Sequence, residues 1–193
     1  MDSINQHIRK FSIVLDTNVL YAAPVRDIIL RLAEKETFSV HWSEQILQEL
    51  GRNLEKKPGL SQDKIESLIT ELTRAFPDAR IDTQNIDPIK LSAEEDKHVV
   101  ATAIQSQSEV IVTQNISDFP SSELALYNLE AQTPDEFLVH HFTLEETKTV
   151  RTVTDLLTDL SNPPYTPEEY LSTLEQVGLV TFAQLLRTSG FMS

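Results

Sequence analysis

The chain has no cysteine, which removes disulfides, cysteine-ligated zinc, iron-sulfur clusters and any thiol nucleophile from consideration. That fits a reducing compartment. Glycine is scarce, at four residues beside nine prolines, which argues against collagen-like or low-complexity sequence. No apolar run approaches the roughly 20 residues that cross a bilayer. The first fifteen residues, MDSINQHIRKFSIVL, lack the long apolar core and small-residue cleavage region of a signal peptide, so a soluble cytoplasmic protein with no membrane partner is expected. Basic residues are few: 16 Lys and Arg against 30 Asp and Glu leave a formal charge of -14. Binding a polyanion with that balance requires carboxylates masked by metal, a local basic patch or a basic partner.

What is present is an alternation of short apolar runs and amphipathic stripes within 193 residues, enough for one core with an appendage. Phe11 to Leu15 (FSIVL) reads as a buried strand ending in Asp16, Thr17 and Asn18. A helical pattern follows from Pro24 (Val25, Ile28, Ile29, Leu32, Ala33), then a strand from Phe38 to Trp42 and a helix capped by Ser43 that runs to about Lys56. Ser61 opens a helix with Ile65, Leu68, Ile69, Leu72 and Phe76 on one face, and Ala79 to Ile81 is a weaker strand. Ser92 and Glu95 have capping-box spacing ahead of Val99, Val100, Ala103 and Ile104. Strands at Glu109 to Thr113 and Tyr127 to Ala131 and a helix from Thr133-Pro134 complete an α/β pattern, which implies a parallel sheet covered on both faces.

The division expected is a core at 1–143 and a helical extension at 144–193. In the extension Val150, Val153, Leu156, Leu157 and Leu160 form one stripe, stopped by Asn162-Pro163-Pro164. A second helix begins at Thr166-Pro167 with Tyr170, Leu171, Leu174 and Val177. These stripes must dock on the core, on each other or across a homodimer.

Four acids lie at the ends of elements: Asp16 after the first strand, Glu49 in the helix after the second, Asp96 in the first turn of a helix, and Asp118 after the strand ending at Thr113. Groups just past strand C-termini in a doubly wound sheet converge on one crevice. Carboxylates gathered there repel one another unless a cation neutralises them, and oxygen donors suit Mg²⁺ or Mn²⁺, which can activate water and stabilise charge on a phosphate. Each acid also has an ordinary role: capping for Asp16, dipole pairing for Asp96, a solvated face for Glu49, a turn for Asp118. Periodicity alone leaves Glu49 and Glu44 equivalent, since they border the same apolar arc from opposite sides.

Ile13-Val14-Leu15-Asp16-Thr17-Asn18-Val19-Leu20, Ser43 to Leu50 with Glu49, Asp96-Lys97-His98-Val99-Val100-Ala101-Thr102-Ala103, and Ile111-Val112-Thr113-Gln114-Asn115-Ile116-Ser117-Asp118-Phe119 resemble, in order, the motifs of PIN-domain proteins. The resemblance covers residues 11 to about 142 and includes Thr133-Pro134-Asp135-Glu136-Phe137-Leu138. It implies a three-layer α/β/α, Rossmann-like domain and a Mg²⁺- or Mn²⁺-dependent endoribonuclease, often the toxin of a bacterial toxin-antitoxin pair. Its acidic cluster, catalytic and metal-binding, would be Asp16, Glu49, Asp96 and Asp118, which favours Glu49 over Glu44. Asn18, Thr113 and Asn115 would be polar neighbours. Ser92-Ala93-Glu94-Glu95 stands where this branch often has further aspartates and a proline. The expected partners are RNA and an antitoxin protein.

Arg52, Lys56 and Lys57 follow Glu49 and are candidates for the RNA backbone, or an ordinary basic helix end. His98, two residues after Asp96, is expected to turn away from that acid into a local polar contact. His140-His141 reads as structural, because no acid-histidine pattern completes a zinc site. Asp16-Thr17-Asn18 is also similar to an aspartyl-phosphate phosphatase, whose second acidic position is normally Asp and here is Asn18. The rival class is a catalytically weak scaffold that binds protein or RNA, favoured by the net charge and the apolar tail.

Overall fold

The structure is a computed structural model that describes residues 10–83, 89–160 and 164–191. Five short strands form one parallel sheet: β1 (Ser12–Leu15), β2 (Ser39–Ser43), β3 (Arg80–Ile81), β4 (Val110–Val112) and β5 (Glu130–Gln132), in the order β3-β2-β1-β4-β5. Ile13 lies opposite Val40 on one side and Val110 on the other. All four residues of β1 are buried, as expected of a central strand covered on both faces.

The helices are α1 (Thr17–Tyr21), α2 (Ala23–Glu34), α3 (Glu44–Glu55), α4 (Gln62–Ala75), α5 (Lys97–Ser106), α6 (Ser121–Leu124), α7 (Pro134–Leu144), α8 (Glu146–Asp159), α9 (Pro167–Gln176) and α10 (Val180–Thr188). The chain steps from β1 to β2 to β3 in one direction and from β3 across to β4 and β5 in the other. Right-handed crossovers therefore put their helices on opposite faces, giving three layers. The reversal lies between β1 and β4, which opens a crevice beyond their C-terminal ends.

Local chemistry explains most boundaries. Ser43 Oγ accepts from Ile46 N at 3.4 Å and starts α3. Thr133 and Thr166 each form a complete capping box, with Glu136 and Glu169, and each has proline in the first turn. The capping expected of Ser92 does not occur. Ser92 N donates to Glu123 Oε2 at 2.6 Å and its hydroxyl bonds the same carboxylate, so Glu94–Asp96 forms a 3-10 turn and α5 begins at Lys97. Ser61 precedes α4 without a side-chain cap. A 3-10 turn at Ala125–Tyr127 occupies the start of the expected last strand, which moves to 130–132. Asn162 and Pro163 lie outside the described residues.

The extension docks on the core of its own chain. α8 packs on α2 and α7, α9 on α2, and α10 on α7 and α9. Val153, Leu171, Leu174, Phe182 and Leu186 are buried completely. Asp135, in the first turn of α7, accepts from Thr181 N (3.1 Å) and Phe182 N (2.9 Å) at the start of α10.

Candidate active site

Asp16 is the residue at which β1 stops. Its backbone N–H still donates to Val112 O at 3.1 Å, extending the pairing with β4, while its carbonyl accepts from Val19 and Leu20 as α1 begins. Its carboxylate, almost wholly buried, is held by three donors: Thr17 N to Oδ1 at 2.6 Å, and Asn18 Nδ2 and Thr113 Oγ1 to Oδ2, each at 2.6 Å. Asn18 also donates to Thr113 Oγ1 (3.2 Å) and accepts from Gln114 N (3.0 Å). Asn115 enters through its backbone N–H, which donates to Thr113 Oγ1 at 3.0 Å. Burial raises the Asp16 pKa, against the lowering effect of the Thr113 and Thr17 bonds. The desolvation penalty therefore outweighs the hydrogen bonds that favour the charged form.

Glu49 sits one and a half turns into α3 and faces α1, where Thr17 Oγ1 donates to its Oε2 at 3.0 Å. Glu44 instead pairs with Arg80 at 3.0 Å on the surface, so the two acids that periodicity could not separate have different surroundings. His98 Nε2 lies 3.3 Å from Glu49 Oε2, and the side chain is 8% exposed. His98 was expected to turn away from Asp96, and the group its Nε2 approaches is a different acid, on α3. Asp96 ends a 3-10 turn with φ -97 and ψ 0, directly ahead of α5. The expected local contact is present too: His98 Nδ1 is 2.8 Å from Glu95 O.

Asp96 and Asp118 complete the cluster electrostatically. The Asp96 pKa is pushed up to about 6, first by burial and then by the charges of Asp16 and Asp118, with Glu49 adding to the rise and His98 opposing it. Asp118 lies in a 3-10 turn, Ile116–Asp118, after β4. Asp96, whose charge the other three carboxylates disfavour, stands with them as a set of oxygen donors that matches a hard divalent cation in donor chemistry and in sign. Among the described residues, however, no three acidic or imidazole side chains are grouped so as to hold an ion. The fit is therefore one of charge and chemistry, not of a preformed cage.

Arg52 is largely exposed and reaches Glu49 Oε1 at 3.8 Å. Lys57 lies past the end of α3, its Nζ 5.9 Å from the Tyr21 ring centroid, and Lys56 contacts Asn53 at 3.3 Å. His140 is exposed beside Gln132, and buried His141 bonds Thr149 Oγ1 at 2.9 Å, both away from the acids. Thr17 and His98 are two residues beside this site that the sequence reading named without giving them a part in it. Thr17 sits directly beside Asp16, a sequence neighbourhood that could have pointed to it.

A family model described as PIN domain matches residues 12–117. A second, described as VapC50 C-terminal domain, matches residues 134–188, from α7 through α10. A Mycobacterium tuberculosis protein named "Putative ribonuclease VapC50" is 39% identical over 83 residues, which are 42% of this chain and 49% of that protein, so the chain spans about half the length of this relative. No solved structure matches the chain. The PIN-domain model spans more than half of the sequence, on the sheet and crevice that carry Asp16, Glu49, Asp96 and Thr113, and the chain belongs to the PIN-domain family.

Proposed function

We propose that the protein is a Mg²⁺- or Mn²⁺-dependent endoribonuclease that hydrolyses RNA phosphodiester bonds, working in the cytoplasm as the toxin of a toxin-antitoxin pair. The observation that carries this reading is the gathering of acids at one crevice: Thr17, whose N–H holds Asp16, donates its hydroxyl to Glu49, and Asp16, Asp118 and Glu49 all lie close enough to act on the charge of Asp96. Its support from relatives is the PIN-domain match and the partial identity to a protein named as a ribonuclease. Residues 1–143 would form the nuclease unit and 144–193 an accessory extension, whose apolar stripe needs no second copy of the chain for its burial.

Asp16 and Asp96 would hold the ion, with Glu49 and Asp118 beside them. When bound, a divalent cation supplies Lewis acidity toward the phosphate and offsets the carboxylate charge. The chain's own residues do the rest. Thr17, Asn18 and Thr113 fix both oxygens of Asp16, so that its orientation costs no reorganisation when substrate arrives. Arg52 on α3, with Lys56 and Lys57 just after its end, could neutralise a phosphate backbone beside Glu49, which a chain of this net charge requires. No helix among the described residues is long and apolar enough to cross a membrane.

The test is cleavage of end-labelled single-stranded and hairpin RNA in Mg²⁺, Mn²⁺ and EDTA, with Asp16→Asn as the matched control. Cleavage that needs the metal and is reduced by about 100-fold or more in Asp16→Asn is expected, by analogy with loss of one preorganised catalytic group. A folded wild-type protein that neither cleaves RNA nor binds either metal by calorimetry would overturn the proposal in favour of a binding scaffold.

A further inference from the structure

We propose that the turn between α9 and α10, residues 177–180, forms one wall of the acidic crevice together with Gln114, and that this wall contacts an unpaired base of the RNA strand whose phosphate lies at the acids. The inference deepens the nuclease reading and rests on it for the identity of the bound strand.

Three observations converge. The first is a short path from the extension to the acids. Gly178 stands so near the crevice that a Cβ there would meet Gln114 Nε2 at 4.0 Å. The backbone N–H of Gln114 donates to Asn18 Oδ1 at 3.0 Å, and Asn18 donates in turn to Asp16 Oδ2 at 2.6 Å. The second is that the turn is held from both sides. Gly178 N donates to Glu175 O at 3.1 Å and Leu179 N to Leu174 O at 2.9 Å, which ends α9 in a Schellman motif with the glycine at φ +90 and Leu179 fully buried. On the other side Asp135 holds the amides of Thr181 and Phe182, and α7 begins just after Gln132, whose carbonyl accepts from Thr113 N at 3.0 Å. A wall so fixed loses little freedom when a strand binds against it. The third is its chemistry. The extension has more acids than bases, yet residues 176–186 contain neither, and Glu168 and Glu175 on α9 are paired with Arg187. What the wall offers is Val180, 46% exposed, and the amide of exposed Gln114. An apolar surface and an amide suit the flat face and the polar edge of an unstacked base, and bring no charge to repel the phosphates.

The variants are Val180→Ser, Val180→Asp and Gln114→Ala, with Thr158→Asp as control. Thr158 is exposed on the same extension beside Asp159, whose partner Arg31 lies in the last turn of α2, toward the opposite edge of the sheet. Cleavage of labelled single-stranded RNA in Mg²⁺ would be resolved into kcat and KM, and binding of the same RNA in EDTA followed by fluorescence anisotropy at low and high salt. Val180→Ser is expected to raise KM and Kd about fivefold with kcat little changed, the low end of what one base contact contributes. That loss should be equal at both salt levels, because a base contact releases no counterions. Val180→Asp should weaken binding about tenfold or more, since it also repels the strand, whereas Thr158→Asp adds the same charge without effect. Gln114→Ala should alter the ranking of poly(A), poly(C) and poly(U) strands, and an unaltered ranking removes Gln114 from the wall. Melting temperatures should stay at the wild-type value, as for other surface changes. Val180 variants that bind and cleave like Thr158→Asp, or a serine loss that vanishes at high salt, would overturn the proposal. If the wild-type protein binds RNA but cleaves none, the function reading fails and the anisotropy contrasts decide this one; a protein that does neither refutes both.

Discussion

Thr113 Oγ1 donates to Asp16 Oδ2 at 2.6 Å, tying the end of β4 to the end of β1 across 97 positions of sequence. The same hydroxyl accepts from Asn18 Nδ2 and from Asn115 N, so one fully buried oxygen serves three neighbours. Thr113→Val keeps the shape and deletes all three bonds. It is expected to cost about 1 to 3 kcal/mol in denaturant unfolding and to raise the Asp16 pKa further, while Thr113→Ser recovers most of the stability. A valine variant as stable as wild type would mean that the network contributes nothing to the fold.

Asp96 gives the metal-free protein a defined pH dependence. Its pKa is raised from 3.8 to about 6, so the folded state holds this proton more tightly than the unfolded chain does. The stability it contributes is complete below about pH 3.8 and is lost as pH rises through about 6. Linkage alone gives roughly 3 kcal/mol, which solvent screening at this half-exposed site reduces to ~1 kcal/mol. In EDTA, Asp96→Asn should therefore be more stable than wild type by about 1 kcal/mol at neutral pH, and the gain should shrink on acidification. Chemical melts across the range check this, and a gain independent of pH would refute it.

His141 acts in the opposite sense over much of the same window. Burial lowers its pKa from 6.5 to about 4, so the unfolded chain takes up the proton first. Its stabilisation is present above pH 6.5 and is lost as pH falls through about 4. His141→Leu should remove on the order of 2 kcal/mol of acid sensitivity, leaving the rising contribution of Asp96 exposed. Parallel stability profiles of the variant and wild type between pH 6.5 and 4 would show that His141 does not titrate differently on folding.

The packing of the extension predicts a contrast between two leucines. Leu174 is wholly buried and Leu144 is 82% exposed. Leu174→Ala should cost about 2 to 4 kcal/mol as a core truncation. Leu144→Ser should stay within ~0.5 kcal/mol, as surface changes usually do. Thermal melts at matched concentration compare them, and equal shifts would contradict the docking of α9.

Legibility in the sequence followed the range of the interaction. Asp16 was readable because an acid ending a four-residue buried strand has few reasons to be there, and Thr133 and Thr166 because a capping box closes within four residues. The parallel sheet covered on both faces followed from the alternation of strands and helices. Ser92 misled because its capping spacing is local while its partner, Glu123, is 31 residues away. The local contact of His98 with Glu95 was readable, but its approach to Glu49 was not, because the two residues stand on different helices, 49 positions apart. The choice between Glu44 and Glu49 could not come from one helix, since what separates them is Arg80 on one side and Thr17 with His98 on the other.

The carboxylate of Asp135 serves two helices, as an acid in the first turn of α7 and as acceptor for the first amides of α10. The debt runs one way. α7 has its own capping box from Thr133, whereas Leu179, at the mouth of α10, offers no side-chain cap. A growing chain has α7 available before α10 exists, so the last helix meets a finished template and cannot complete its first turn without it. Unfolding should run in reverse, with the amides of Thr181 and Phe182 exchanging with solvent no more slowly than the opening of α7 from α10 allows.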